Sequence, residues 1–358
     1  MIDKCIKRTS FDGLTGMAAV IPAVFGLFVL YGYRTLITVS AAADNTALLS
    51  GCILAGKAGN ALLLMTAAMS VNTKDGKPDW KKAKTVYFTL FFYNAVLVLL
   101  HTVCGYSSSI TDILPVLTGA NRCVSRCIVI LILMPLFEKK MRCLTQKKHF
   151  LLCAAMLAIV SIGSGVCDYA ETWSYFTAAA EIILAMTTVS YIRKYDSACL
   201  HNRTFCAAGV IFCTGIICAC TISAAGIVQR MILNSMSAFP VPLLIICFYK
   251  SEESVFRTKR VSDNLYRLLF GAYLLADNTY FREVLHDVLM IYLPSASASA
   301  LTLFIACLPV IAFVFTAAFL LETARKPLFE SFAGKEVSLS RDLFRIREHA
   351  DLYSWNVI

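Results

Sequence analysis

A few ionisable side chains lie inside long apolar stretches of this sequence. Glu181 lies within YFTAAAEIILAMTTVSYI, and Lys57, Arg126 and Arg34 lie in other apolar stretches. If such a stretch spans a membrane, a charge at its centre costs roughly 2.5–3.5 kcal/mol, so it usually faces an opposite charge or a water-filled cavity. We therefore expect Glu181 to pair with Lys57 or Arg126, or to handle protons or bind a substrate. Arg34 and Arg126 lie near stretch ends, from which long side chains can reach polar surroundings.

Two histidines could act as general bases toward a hydroxyl group, because imidazole titrates near neutral pH. His101 lies in LVLLHTVCG, and His286 lies in a polar segment farther along the chain. Neither has a carboxylate partner that the sequence reveals. The candidate catalytic residues are therefore His101, His286 and Glu181, with no roles divided among them.

A cluster of polar residues follows the apolar stretch LYRLLFGAYLLA. Asp277 and Asn278 end this stretch, and Arg282 follows about one helical turn later. Such residues can cap a helix beside a solvated loop, or they can line a polar site where a re-entrant or interfacial segment meets a helix bundle. Together with Lys57 and Arg126, they are the candidate substrate-binding residues.

The elements that must position these side chains are predicted to be membrane-spanning helices. Of the 358 residues, 58% are apolar and 16% are charged, and the mean hydropathy is +0.69. Soluble domains average about 45–50% apolar and about 25% charged residues. Because the apolar excess occurs in long stretches, we expect one all-α polytopic membrane helix bundle rather than several soluble domains.

The positions of the basic residues and of the cysteines argue against two other kinds of site. The formal net charge of +10 comes largely from short basic clusters between apolar stretches, which indicate membrane topology rather than nucleic-acid binding. The 15 cysteines lie mostly inside apolar stretches, where they act as small apolar side chains. No C-x-x-C pairs occur at zinc-site spacing, so no metal site is predicted.

Ten apolar stretches are candidate spans, although the fourth and ninth are shorter than the roughly 20 residues that a span needs. The first resembles a signal peptide in its flanks, but its length of about 25 residues exceeds the roughly 7–15 apolar residues of a signal peptide, so we interpret it as a retained helix. The predicted spans are 14–38, 52–71, 86–104, 123–137, 150–167, 175–192, 204–228, 232–249, 264–277 and 298–321.

The basic residues predict the direction of the bundle. With the N-terminus inside, most Lys and Arg residues fall in cytoplasmic segments, and the opposite connection at Asp168 and Glu171 is acidic. This pattern predicts a multi-pass plasma-membrane protein with both termini cytoplasmic. Residues 1–325 form the bundle, and 326–358 form a cytoplasmic tail that is either solvated or interfacial. The cytoplasmic segments are 1–13, 72–85, 138–149, 193–203, 250–263 and 322–358.

Five segments combine apolar stretches with polar or basic ends in a characteristic order. They are RTSFDGLTGMAAVIPAVFG, GNALLLMTAAMSV with PDWKKAKTVYFTLFFY, LILMPLFEKKMRCLTQKKHFLL, AEIILAMTTVSYIRKY and FGAYLLADNTYFREVL. In this order they resemble the acyltransferase-3 family of integral membrane O-acyltransferases, particularly members that act on cell-surface polysaccharides. They look like that family's first helix, its second and third helices, a helix that ends at a proline before a basic hairpin, a helix with a Tyr-Ile-Arg-Lys-Tyr-like end, and a late polar motif. The resemblance covers most of residues 8–325.

The chain matches some of that family's polar positions and lacks others. Asp12, Tyr273, Asp277, Asn278 and Arg282 match. The family's first helix carries a basic residue and, after ten intervening positions, a histidine; its second helix carries an aromatic-rich Ser-Gly motif, and its late motif carries another histidine. The positions that depart from this pattern are Thr15, Gly26, Leu63, Leu64, Ala67, Ala68 and Ala276.

The resemblance implies transfer of an acyl or acetyl group from acyl-CoA to a cell-surface polysaccharide or glycolipid, with no permanently bound cofactor. Because a general base commonly contributes roughly 10²–10⁴-fold to such a reaction, catalysis would depend on substitutes such as His101, His286 or Glu181. The alternative is a catalytically inactive relative that serves as a scaffold or translocates polysaccharide. An unrelated secondary transporter also fits helices with buried charges, although no internal repeat is visible.

Overall fold

The described part of the chain is all-helical. The computed structural model describes residues 43–71, 77–107, 113–114, 121–166, 171–195, 202–222, 232, 235–251, 259–292, 308–325 and 327. These residues contain no strand, which confirms an all-α fold for this part of the chain. The helices are α1 (Ala43–Ser70), α2 (Trp80–Val103), α3 (Arg122–Met141), α4 (Gln146–Val166), α5 (Glu171–Lys194), α6 (Arg203–Ile222), α7 (Pro240–Ser251), α8 (Lys259–Asp277), α9 (Thr279–Tyr292) and α10 (Leu308–Arg325).

Each predicted span from the second to the tenth overlaps one of these helices in its described residues. The first predicted span, 14–38, and nearly all of the tail, 326–358, lie outside the described residues. By length and composition, two helical segments among the described residues can cross a membrane, Lys82–Val103 in α2 and Leu308–Arg325. Only 39% and 22% of their apolar windows are buried, whereas a core helix of a soluble protein would be mostly buried.

Helix α9 was not predicted as a separate element. The residues between the ninth and tenth predicted spans are expected to form a connection at the outer face, but Thr279–Tyr292 is helical. The stretch is too short and too polar to register as a span, since a span needs roughly 20 apolar residues. The sequence therefore predicts a connection where the structure has a helix.

Helix α3 also extends beyond its predicted end. The family resemblance implies a helix that stops at the proline, yet α3 continues through the buried Pro135 to Met141. Proline removes one backbone donor and disfavours a helix interior. Here Ile130, Leu131 and Met134 pack the preceding turn into the core, and that packing offsets the loss.

Helix α1 lies at the centre of the arrangement. It packs against α3, α5, α6 and α7, while α4 packs on α5 and α6 on α7. Helix α2 packs against α3, α8 and α9. The main core contains side chains from α1, α2, α3, α8 and α10, and the largest fully buried ones include Tyr93, Tyr273, Leu62, Leu63, Met65, Ile130 and Met134.

The end of α1 is fixed by an arginine of α5. Nη2 of Arg193 donates to the carbonyl oxygens of Ala68, Met69 and Val71 at 3.1, 2.8 and 3.0 Å. Nη1 of the same residue donates to Oε2 of Glu138 on α3 at 2.6 Å. The last carbonyls of a helix lack partners within it. Arg193 supplies hydrogen-bond donors to these carbonyls and so joins three helices at one end of the bundle.

Candidate functional site

An ion pair joins α3 and α5 at the charged positions that the sequence singles out. Nη1 of Arg126 donates to Oε2 of Glu181. The positive charge of Lys57, on α1, also acts on the Glu181 carboxylate. Of the two partners expected for Glu181, Arg126 forms the hydrogen-bonded pair and Lys57 adds a longer-range attraction. Three neighbouring helices thus contribute to one polar group.

The end of α8 adds a second carboxylate to this group. Asp277 accepts from Nη2 of Arg282 at 3.4 Å and from the hydroxyl of Tyr273 at 3.3 Å. The Tyr273 hydroxyl also lies 3.2 Å from Oδ1 of Asn60 on α1. The charges of Arg126 and Arg122 act on Asp277 as well. The two carboxylates therefore belong to one charge cluster, which consists of Lys57, Arg122, Arg126, Glu181, Asp277 and Arg282.

Asn278 separates α8 from α9 and explains the polar residues at this junction. Its Oδ1 accepts from the backbone N–H groups of Tyr280 and Phe281 at 3.0 and 3.3 Å, which is an N-cap for α9. Nε of Arg282 donates to the carbonyl oxygen of Ala276 at 2.7 Å, near the end of α8. The polar cluster thus satisfies backbone groups that a helix break leaves without partners.

His101 has a carboxylate partner that the sequence did not reveal. Its Nε2 lies 2.9 Å from Oε2 of Glu283, which is on α9. Its Nδ1 is buried and has no hydrogen-bond partner among the described residues. The ring stacks on Tyr106 at 4.5 Å between centroids and meets Tyr280 edge-on at 5.1 Å. An imidazole held in this way can present one nitrogen to a carboxylate and the other to a reacting group.

The histidine pair and the charge cluster each draw one residue from α9. Arg282 belongs to the cluster and Glu283, the next residue, belongs to the pair. The predicted topology put His101 and the segment 277–294 at the same outer face, which was the available signal for this pairing. The sequence does not single out Glu283, because a glutamate beside an arginine is typical of a solvated helix.

The positions that should hold the family's polar motifs are packed with apolar side chains. Leu63, Leu64, Ala67, Ala68 and Ala276 are all buried. They belong to the main core, together with Met65 and Tyr273. A cavity at the matching place in the second helix is therefore filled.

Several candidate residues lie beyond what the structure describes. Asp12, Thr15, Gly26 and Arg34 are outside the described residues, and so is the side chain of His286. Within the described part of the chain, no group of three His, Cys, Asp or Glu residues is arranged to hold a metal ion.

No protein-family model, no curated protein and no solved structure matches this chain. The acyltransferase-3 resemblance therefore rests on the segments quoted above and stays a prediction.

Proposed function

We propose that this chain is a multi-pass plasma-membrane protein that transfers an acyl or acetyl group from acyl-CoA to a hydroxyl of a cell-surface glycan. The observation that carries the proposal is the 2.9 Å contact between Nε2 of His101 and Oε2 of Glu283. It supplies the oriented base that the acyltransferase-3 resemblance requires and that Thr15, Gly26 and Ala276 do not provide.

Exposed apolar side chains support the membrane part of this proposal. Large apolar residues project from α2, α4, α6 and α10 without covering the core. In water such patches are rare on a monomer, whereas lipid tails would cover them. The basic segments between helices favour the orientation with both termini in the cytoplasm. The exposed residues include Leu99, Val103, Phe150, Leu151, Ile211, Phe212, Phe319 and Leu320.

The chemistry assigns a separate task to each imidazole nitrogen. With the Nε2–H donating to the Glu283 carboxylate, Nδ1 of His101 holds a lone pair that can accept the proton of the glycan hydroxyl. The hydroxyl oxygen forms a bond to the thioester carbonyl carbon, and the carbon–sulfur bond breaks. The departing CoA sulfur takes the proton back from Nδ1. Because Tyr106 and Tyr280 cover the ring, one of them must move before a hydroxyl reaches Nδ1.

A second candidate function is favoured by the packing of α1. Apolar side chains fill the places of the family's polar motif, as Leu63 and Ala68 illustrate. A relative that lost the chemistry and kept the bundle would act as a scaffold or translocate polysaccharide. The charge cluster would then serve binding alone.

An assay of acetyl-CoA turnover by purified protein in lipid nanodiscs distinguishes the two functions. We expect acetyl-CoA turnover that falls roughly 10²–10⁴-fold in His101→Gln and by a smaller factor in Glu283→Gln, because the ring loses its orientation but keeps its base. His149→Gln replaces another buried histidine and should leave turnover unchanged. No turnover and no acetyl-CoA binding by the unsubstituted protein would overturn the transferase proposal in favour of the second function.

A further inference from the structure

The charge cluster opens to its surroundings instead of being sealed in the core. Four of its side chains are partly exposed to solvent: Arg126 by 27%, Glu181 by 36%, Asp277 by 25% and Arg282 by 36%. Arg126, Glu181 and Asp277 come from apolar helices, and charges on such helices do not face lipid at a tolerable cost. Because these charged side chains are also accessible, a polar ligand can reach them.

Positive charge exceeds negative charge in this cluster. Among the described residues, Arg122, Arg126 and Arg282 act on two carboxylates, Glu181 and Asp277. The charge of Lys57 acts on Glu181 in addition. A site with this balance attracts an anion, because a cleft lined mainly by one sign of charge raises the local concentration of counter-ions.

Arg126 also has hydrogen-bonding capacity to spare. A guanidinium group carries five N–H donors, and among the described residues only Nη1 of Arg126 has an acceptor. The remaining donors form a fork that matches a carboxylate or a phosphate. Tyr273 and Asn60 supply neutral polar groups beside it.

We propose that the charge cluster binds an acidic group of the glycan acceptor, a carboxylate or a phosphate, with Arg126 as its main ligand. That the ligand is the acceptor rests on the proposed function; that the site takes an acidic sugar rests on the cluster alone. The cluster and the His101–Glu283 pair both draw a residue from α9, Arg282 and Glu283 respectively.

The test measures binding without any acyl donor. Purified protein in nanodiscs is titrated with D-glucuronic acid, D-glucose 1-phosphate and D-glucose, followed by saturation-transfer NMR. We expect at least one acidic sugar to bind roughly tenfold more tightly than glucose, as one charge-assisted contact provides. Preference for the carboxylate or for the phosphate identifies which acidic group the acceptor carries.

Variants connect that binding to Arg126. Arg126→Gln should lose the preference for acidic sugars, whereas Arg142→Gln, at the other end of α3, should keep it. Because Arg126→Gln leaves Glu181 without its hydrogen-bonded partner, the double variant Arg126→Gln/Glu181→Gln removes both charges and guards against misfolding; it should also lose the preference.

Equal affinity for all three sugars, or an unchanged preference in the double variant, would overturn the inference even where acyl transfer is intact. Acidic-sugar binding without turnover would retain the site and reject only the transferase.

Discussion

Asn278 combines a helix cap with a buried hydrogen bond. Its Oδ1 caps α9, and its Nδ2 donates to Oδ1 of Asn94 on α2 at 2.9 Å. Both asparagines are fully buried. Nδ2 of Asn94 in turn donates to the carbonyl oxygen of Ile113 at 3.0 Å. A short chain of amides therefore fixes the helix break against α2, close to His101.

We expect Asn278→Ala to destabilise the protein by about 2–4 kcal/mol. Loss of the cap costs about 1 kcal/mol, and loss of the buried hydrogen bond to Asn94 costs about 1–3 kcal/mol more. Asn202→Ala is the matched control, because Asn202 caps α6 at 3.3 Å from an exposed position; it should cost only about 1 kcal/mol. Equilibrium unfolding in detergent measures both, and equal losses would show that the Asn94 contact contributes nothing.

The partner of a single residue is predictable where leaving that residue unpaired in apolar surroundings would cost much free energy. A carboxylate in the apolar stretch around Glu181 demanded a basic partner, and Arg126 provides it. Glu283 needs no basic partner of this kind, because its side chain is 61% exposed. Its pairing with His101 depends on how α9 packs on α2, which hydropathy does not encode.

The packing of α4 on α5 buries a histidine at the end of the helix pair. Nε2 of His149 lies 3.0 Å from the carbonyl oxygen of Thr187, and Nδ1 has no partner among the described residues. The rings of Tyr191 and Tyr195 lie edge-on to it. Burial, assisted by the charge of Lys194, lowers the pKa of His149 despite the hydrogen bond to Thr187.

This lowered pKa makes the α4–α5 contact sensitive to acid. The unfolded chain binds a proton more readily than the folded one, so stability is fully present above the usual histidine pKa of about 6.5 and falls as the pH drops below it. The loss is at most about 1.4 kcal/mol per pH unit for one site. His149→Gln keeps a donor for the Thr187 carbonyl but cannot titrate, so its unfolding free energy should fall less between about pH 7.5 and 5.5. Identical losses in both proteins would contradict a neutral buried His149.

Among the elements, hydropathy located helices well and their ends less well. Every apolar stretch within the described part lies on a helix, because burying a backbone in apolar surroundings requires its hydrogen bonds to close internally. The amphipathic α9 was missed, since its 14 residues alternate polar and apolar groups. Helix α3 ends at Met141, four residues beyond the predicted span 123–137, because the prediction assigns the charged residues from Glu138 onward to a connection.

At the scale of the whole molecule, the central position of α1 was beyond sequence reasoning. Hydropathy recognises each apolar stretch separately, so it gives no information about which helices are neighbours. The neighbours depend on side-chain fit and on polar contacts between helices. Arg193, which joins α1, α3 and α5, is one such contact.

The predicted topology can be tested with two cysteines of the natural sequence. Cys104 follows α2 and Cys143 lies between α3 and α4, and both are exposed, whereas the other cysteines with described side chains are buried. Positive-inside orientation puts Cys104 outside and Cys143 in the cytoplasm. A membrane-impermeant maleimide should therefore label Cys104 in intact cells and Cys143 only after permeabilisation, as peptide mass spectrometry would show.

Each alternative arrangement gives a different labelling pattern. Label on Cys143 but not on Cys104 in intact cells would invert the bundle and move the His101–Glu283 pair to the cytoplasmic side, where acyl-CoA is present but a surface glycan is not. Protection of both cysteines until permeabilisation would place Cys104 and Cys143 on the same, cytoplasmic side and would mean that α3, the helix between them, does not cross the membrane. Labelling of Cys104 alone keeps the His101–Glu283 pair on the outer side, so that the thioester end of acyl-CoA must reach this pair through the bundle.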